Sequence, residues 1–219
     1  MNSKVVTREE IISCFKDGQI IAIGGQAGPR TMPDRLIDCI LESGAKHLTV
    51  YSIDATDPGL GVGKLIRAGR VDHMITTHIG KNPEAVALFA EGKLTMELSP
   101  MGSFIERIRC GGMGLGGVLT KTGLGTVVEE GKQVITVNGE NFLLETALRA
   151  DVAITRAYRA DTMGNLVYHG TGTASHPIIA TCADLSLVEC DELCEVGDIG
   201  VDDVRVPGMF VDMILPQEV

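Results

Sequence analysis

Glycine is where this chain concentrates its chemical potential. Between Leu98 and Lys132, glycines stand at 102, 111, 112, 114, 116, 117, 123, 125 and 131. Positions without a side chain let main-chain N–H groups approach a ligand or a second chain and permit positive φ at little steric cost. Ile105, Ile108, Leu115, Val118, Leu119, Leu124 and Val127 interleave with them, so the segment asks for burial and is not a glycine-serine linker. A glycine pair, Gly24-Gly25, follows the apolar run Ile20-Ile21-Ala22-Ile23. The run Gly170-Thr171-Gly172-Thr173-Ala174-Ser175-His176-Pro177 offers free N–H groups at a helix start, which suits either an anion cradle or a plain turn. His78 and His176 are possible acid-base groups or packed structural ones. Glu106, Arg107 and Arg109 share one helix, where salt bridging is the expected role. Cys190 and Cys194 lack a His or second Cys pair to complete a tetrahedral metal set, and no metal is expected.

The elements that position these residues alternate. Thr7 to Lys16 reads as a helix, with Thr7 as N-cap and Glu10 at the capping-box position; Gln19 to Ile23 reads as a buried strand. Pro33 to Ser43, Gly63 to Ala68, Pro83 to Glu91 and Gly102 to Cys110 follow as helices, interleaved with strands His47 to Ser52, Val71 to Thr77 and Leu94 to Leu98. That rhythm predicts an α/β fold: an open, mostly parallel sheet with helices on both faces. Beyond Gly117, Val134 to Val137 and Asn141 to Glu145 read as an antiparallel hairpin turning at Asn138-Gly139, a small antiparallel part in the C-terminal half. Val152 to Arg156 and Leu185 to Val188 read as apolar strands, with a further turn at Gly164-Asn165. Ligands of such sheets collect at the carboxyl ends of strands, here the turns after Ile23, Ser52, Thr77 and Leu98.

Taken in order and spacing, several pieces resemble the A (α) subunit of the family I coenzyme A transferases. They are Gly24-Gly25, Glu106-Arg107-Ile108-Arg109 with Gly111-Gly112 and Gly114, Thr122 to Thr126 with Glu129-Glu130-Gly131, Leu148 to Ala153, Asp161 with Gly164-Asn165-Leu166, Val188-Glu189 and Val206-Pro207-Gly208. The resemblance spans about Glu9 to Met213. It implies a subunit active only with a B (β) partner, usually as an A2B2 heterotetramer. The partner's glutamate attacks an acyl-CoA and carries CoA to a free carboxylic acid through anhydride and thioester intermediates. It implies no cofactor, CoA being a substrate. This chain would supply a wall of the acyl pocket and an oxyanion contact. The substrate-facing set it implies is Gly24, Gly25, Gln26, Gly28, Arg30, Ile53, Gly61, Gly63, His78 and Met101, with Gln26, Met101 and Gly102 nearest the chemistry.

The departures from the family pattern fall at the site. The family's oxyanion donor is a glutamine in a proline-glutamine-glycine turn, whereas this chain has Pro100-Met101-Gly102, and a thioether donates no hydrogen bond. Gln26 stands where the family has phenylalanine, which suggests an exchange; its amide either takes the oxyanion position or one beside it, or it points into solvent. Ile53 replaces an asparagine and makes the rim more apolar. Arg30 either pairs with a carboxylate or is an ordinary exposed side chain. A sugar-phosphate isomerase would need a carboxylate and lysine constellation that is not recognisable. A regulator of the same fold would need a helix-turn-helix or a basic face, also lacking. A transferase-derived subunit of altered activity stays open.

Composition bounds the rest. The chain has 219 residues, 44% hydrophobic and 22% charged, enough for one domain over 1–219 with a real core. A formal charge of −10 argues against nucleic-acid binding. No apolar run is long enough to span a bilayer and the polar start is unlike a signal peptide, so no membrane partner and a cytoplasmic location are expected. Six scattered cysteines are expected as free thiols.

Overall fold

The computed structural model describes residues 3–26 and 31–217. The first half alternates as α1 (Arg8–Ile12), β1 (Ile20–Ile23), α2 (Asp34–Ser43), β2 (Leu48–Tyr51), α3 (Val62–Arg67), β3 (Val71–Thr76), α4 (Pro83–Ala90), β4 (Thr95–Leu98) and α5 (Met101–Gly112). Then come β5 (Gly117–Thr120), β6 (Val134–Val137), β7 (Glu140–Thr146), β8 (Ala150–Asp161), β9 (Leu166–Val167), α6 (His176–Ile179), β10 (Ala183–Cys194) and β11 (Met213–Pro216). The main sheet runs β11-β10-β8-β1-β2-β3-β4, with β9 paired antiparallel to β8 and every other pair parallel. A second sheet, β5-β7-β6, is antiparallel.

The pleat of β1 divides the core. Ile21 and Ile23 face Leu36, Ile37 and Ile40 of α2, and join Val62, Leu65 and Ala85 of α3 and α4. Ala22 faces the opposite side, where Phe104 and Ile108 of α5 and Ile179 of α6 pack. Helices therefore cover both faces, and side chains alternate with the period of two that a strand buried on both sides requires.

Local signals act where they were read. Thr7 and Glu10 form a reciprocal capping box on α1, and Asn82 caps α4 with Pro83 in its first turn. Asn138 and Gly139 both take positive φ, 52° and 81°, as a two-residue hairpin turn demands. Several limits differ from the sequence reading. Helix α1 stops at Ile12, because Asp17 and Gly18 turn the chain by bonding the backbone of Lys46. Strands β8 and β10 run well past their apolar cores because they pair with each other as far as Asp161 and Cys194. Their distal halves carry the cross-strand pairs Arg156–Asp191 and Arg159–Glu192, which hydrophobic period cannot report. The helix start read at the Gly170–Pro177 run is α6, whereas strands β5, β9 and β11 are too short or glycine-rich for side-chain period to mark them.

Arg107 ties the two sheets together. It is only 5% exposed and pairs with Glu97 on β4 and with Glu145 on β7, itself 1% exposed. Its Nε donates to the Thr146 carbonyl at 2.9 Å, and Lys132 closes the network on Glu145 at 2.7 Å. Glu106 and Arg109 form the exposed ion pair on the same helix. Removing one member of a buried network leaves uncompensated charge, which costs far more than a surface pair. Arg107→Leu is expected to destabilise the chain by about 3 kcal/mol and Arg109→Leu far less, because its ion pair is solvent-exposed. Urea midpoints of the two variants check this; equal shifts would remove the special role of Arg107.

Candidate active site

The chain winds outward from β1 through β2, β3 and β4, then returns to place β8 and β10 on the other side of β1. The reversal falls between β1 and β8, the position where an open parallel sheet leaves a crevice at its carboxyl edge. Along that edge lie the turns 24–26, 52–54, 77–78 and 99–101. The turn after β1 and the turn after β4 are three strands apart, about 14 Å at ordinary strand spacing.

The turn after β1 is packed shut. Gly24 and Gly25 are both buried. The Gly24 N–H donates to Ile154 O at 2.9 Å, the Gly25 N–H to Ser175 Oγ at 3.4 Å and the Gln26 N–H to Thr31 Oγ1 at 3.1 Å. Thr31 Oγ1 donates in return to Gln26 O at 2.8 Å. A methyl on Gly24 would overlap the ring of His176, and one on Gly25, where φ is 128°, the sulfur of Met32. These glycines therefore serve close packing, and their N–H groups are already bonded within the chain. That corrects the expectation that this backbone is offered to a ligand. Gln26 is half-buried and remains the side chain of this turn at the rim.

Three more expected contacts are interior. Ile53 is 3% exposed, packed with Tyr51, Ile75 and Phe104, because a branched hydrocarbon at a strand end gains more from the core than from the rim. Its carbonyl accepts from the Thr76 and Thr77 hydroxyls. Gly61 is buried against Met32 with φ 48°, and Gly63 packs on the Asp57 carbonyl while its N–H donates to Thr56 Oγ1 at 2.9 Å. Thr56 itself holds φ 49°, a strained setting for a β-branched residue, and keeps this loop closed. Gly28 and Arg30 lie outside the described residues.

His78, Met101 and Gly102 do reach the surface. The His78 ring stands over Gly80, while its carbonyl accepts from Ala55 N–H. Met101, 42% exposed, opens α5 after Pro100, and Gly102 follows with open space around it. No side chain caps α5, so the N–H groups of Met101 and Gly102 have no acceptor among the described residues, as at any uncapped helix start. The run Gly170–Ala174 forms a 3-10 turn before the single helical turn of α6, too short to build much dipole for an anion. Among the described residues no group of three or more His, Cys, Asp and Glu is placed to hold a metal ion. All six cysteines are free thiols, and no described helix is long and apolar enough to cross a membrane.

Two buried titratable groups back the turn. His176 is 1% exposed and stacks on Tyr168; its Nδ1 accepts from Arg156 N–H at 3.3 Å and its Nε2–H donates to Thr31 O at 2.8 Å. Burial, aided by the Arg156 charge and opposed by the Thr31 carbonyl, lowers its pKa to about 4, so it is neutral at physiological pH. Glu189 accepts from Leu36 N–H at 3.0 Å, capping α2, with Arg35 at 3.7 Å and Arg156 at 4.0 Å. Burial raises its pKa to about 7 against the pull of Arg35. Neither role was legible beforehand. The Gly24-Gly25 pair announces a close neighbour, but only the fold shows that it is His176.

The coenzyme A transferase family profile matches residues 5–217. The chain is 46% identical over 215 residues to the acetate CoA-transferase subunit alpha of Escherichia coli K12, covering 98% of this chain and 97% of that one. It is 42% identical over 217 residues to the acetoacetyl-CoA:acetate/butyrate CoA transferase alpha subunit of Clostridium acetobutylicum, covering 99% of each. Its fold is similar to the crystal structure of glutaconate coenzyme A-transferase from Acidaminococcus fermentans, with TM-score 0.85 and 23% identity over 98% of this chain and 75% of that one.

The two buried groups act oppositely on stability. His176, with its lowered folded pKa, contributes stability that is present above about pH 6.5 and lost as pH falls toward 4. Glu189, with its raised folded pKa, contributes stability that is present below about pH 4.5 and lost as pH rises toward 7. Each effect is on the order of 3 kcal/mol across its window. Relative to the unmodified chain, His176→Asn should gain stability on acidification from pH 7 to 4.5 and Glu189→Gln should lose it. Melting temperatures at four pH values check the signs, and parallel curves for all three proteins would show the assignments to be wrong.

Proposed function

The chain belongs to the coenzyme A transferase family, and from that membership we propose its part in the reaction. It is the A-type subunit of a CoA-transferase, an enzyme that moves CoA between an acyl-CoA and a free carboxylic acid. The observation that carries this reading is the end-to-end match to α subunits.

The nucleophile is a glutamate of the B subunit. Its carboxylate adds to the thioester carbonyl and CoA leaves as thiolate, giving an acyl-glutamyl anhydride. The thiolate adds to the glutamyl carbonyl and releases the first acid, leaving a glutamyl thioester; the second acid attacks this thioester, expelling the thiolate and forming a second anhydride, whose acyl carbonyl the thiolate then attacks to give the new acyl-CoA and free the glutamate. Each addition passes through a tetrahedral oxyanion, so fixed N–H donors supply much of the rate. The reaction needs no cofactor. Of the carboxylates near this chain's rim, Glu97 is paired to Arg107 and Asp54 accepts from Thr56 N–H at 3.0 Å.

Gln26 and Met101 divide the work that one glutamine does in the family. Their turns lie three strand spacings apart, so Gln26 binds the acyl group beside the reacting carbon. The oxyanion is met at the start of α5 by the main-chain N–H groups of Met101 and Gly102. His78, just after β3, stands between them along the same sheet edge. The acids are short-chain, as the names of the relatives indicate for those proteins. The complex works as an A2B2 heterotetramer, each chain acting as one domain, in the cytoplasm, where free thiols persist.

Pro100 has ψ 140°, a setting that tolerates a following proline, and proline fits the first helical position. Met101→Pro thus deletes one N–H without breaking the helix. Co-expressed with the B subunit, Met101→Pro should lose about 10² to 10³ in kcat, with Met101→Leu near wild type. Gln26→Ala should raise KM for the free acid about tenfold and change kcat little. Isotope exchange between acyl-CoA and a panel of acids provides the rates. Activity of this chain without its partner would sink the reading, and an unchanged kcat in Met101→Pro would remove α5 from the site.

A further inference from the structure

His176 touches both ends of the turn that carries Gln26. Its ring lies against Gly24, where a methyl could not fit. Its Nε2–H holds the Thr31 carbonyl at 2.8 Å, and Thr31 Oγ1 holds both the N–H and the carbonyl of Gln26. Behind the ring, Nδ1 takes the Arg156 N–H of β8, and Tyr168 stacks in parallel with centroids 5.6 Å apart. The preceding residue, Ser175, accepts from Gly25 N–H. On the far side, Met32 fills the space between Gly25 and Gly61. Both ring nitrogens are occupied and the side chain is buried, so His176 is not a proton donor or acceptor for substrate.

We propose that His176 is a positioning residue for CoA transfer: a neutral wedge that sets the Gly24–Gln26 turn at the sheet edge, with Gly24 kept side-chain-free to receive it. The proposal rests on the reading that this turn walls the acyl site. A polar side chain displaced by about 1 Å loses its alignment with what it binds, so a two-bond relay from ring to Thr31 to Gln26 has leverage on binding of the free acid without touching substrate. The same geometry explains why the turn begins with glycine: the wedge and a Cβ exclude one another.

That mutual exclusion makes the idea testable by a double-mutant cycle in the two-subunit complex. Gly24→Ala, His176→Ala and the pair are compared by steady-state kinetics and by amide hydrogen exchange of the segment 20–26. His176→Ala should accelerate exchange of the turn about tenfold or more and raise KM for the free acid up to about tenfold with little change in kcat. Gly24→Ala should do at least as much alone, yet change either readout less than about twofold once the ring is gone, a non-additivity expected only of groups in contact. His176→Gln retains a donor toward Thr31 O and frees space beside Gly24. It should recover part of the lost affinity for the free acid, and it replaces the alanine variant in the cycle if that complex fails to assemble. Losses that multiply, or exchange unchanged by loss of the ring, overturn the wedge. Faster exchange with unchanged kcat and KM overturns the placement of this turn at the acyl site instead, so the two failures are told apart.

Discussion

The structure depends on one close packing: the backbone of the β1 turn lies so near a histidine ring and a methionine sulfur that neither glycine admits a side chain. Gly24 meets His176, Gly25 meets Met32, and Met32 reaches on to Gly61. Three strand-end segments are thereby held in a single stack at the reversal point of the sheet. Because interiors are packed like crystals and yield little, the stack fixes where Gln26 stands. The N–H groups of Gly24, Gly25 and Gln26 are bonded within the chain, whereas those of Met101 and Gly102 at the start of α5 have no acceptor among the described residues.

Charge is handled in the same economical way. An acidic chain buries Glu145 and Glu189, each met by two cations. The first network joins the antiparallel sheet to α5 and β4, and the second caps α2, which begins just after the β1 turn. Buried ion pairs contribute little net stability against apolar substitutes but strongly penalise mispairing. Their placement at the two junctions that orient the rim is consistent with specifying geometry. Neutral His176 completes the arrangement, since protonation would set a charge beside Arg156 in a buried space.

The family relation and the geometry meet at the missing glutamine. Met101 lacks a donor in its side chain, yet its residue position at the first turn of a helix supplies one in the backbone. Three strand spacings, about 14 Å, lie between the turn that carries Gln26 and the start of α5.

The sequence by itself determined the alternation of strands and helices, the capping box at Thr7 and Glu10, and the hairpin at Asn138-Gly139, because these follow from dihedral preferences and side-chain period over a few residues. It also carried enough motif order to indicate the family. Tertiary structure alone decided that Ile53, Gly61 and Gly63 are interior, that β8 and β10 extend together beyond their apolar cores, and that His176 is buried and neutral. The physical reason is range. Gly24, Thr31, Arg156 and His176 are brought into contact by the order of strands in the sheet, a choice made by the whole core, and no local preference near any one of them encodes the other three.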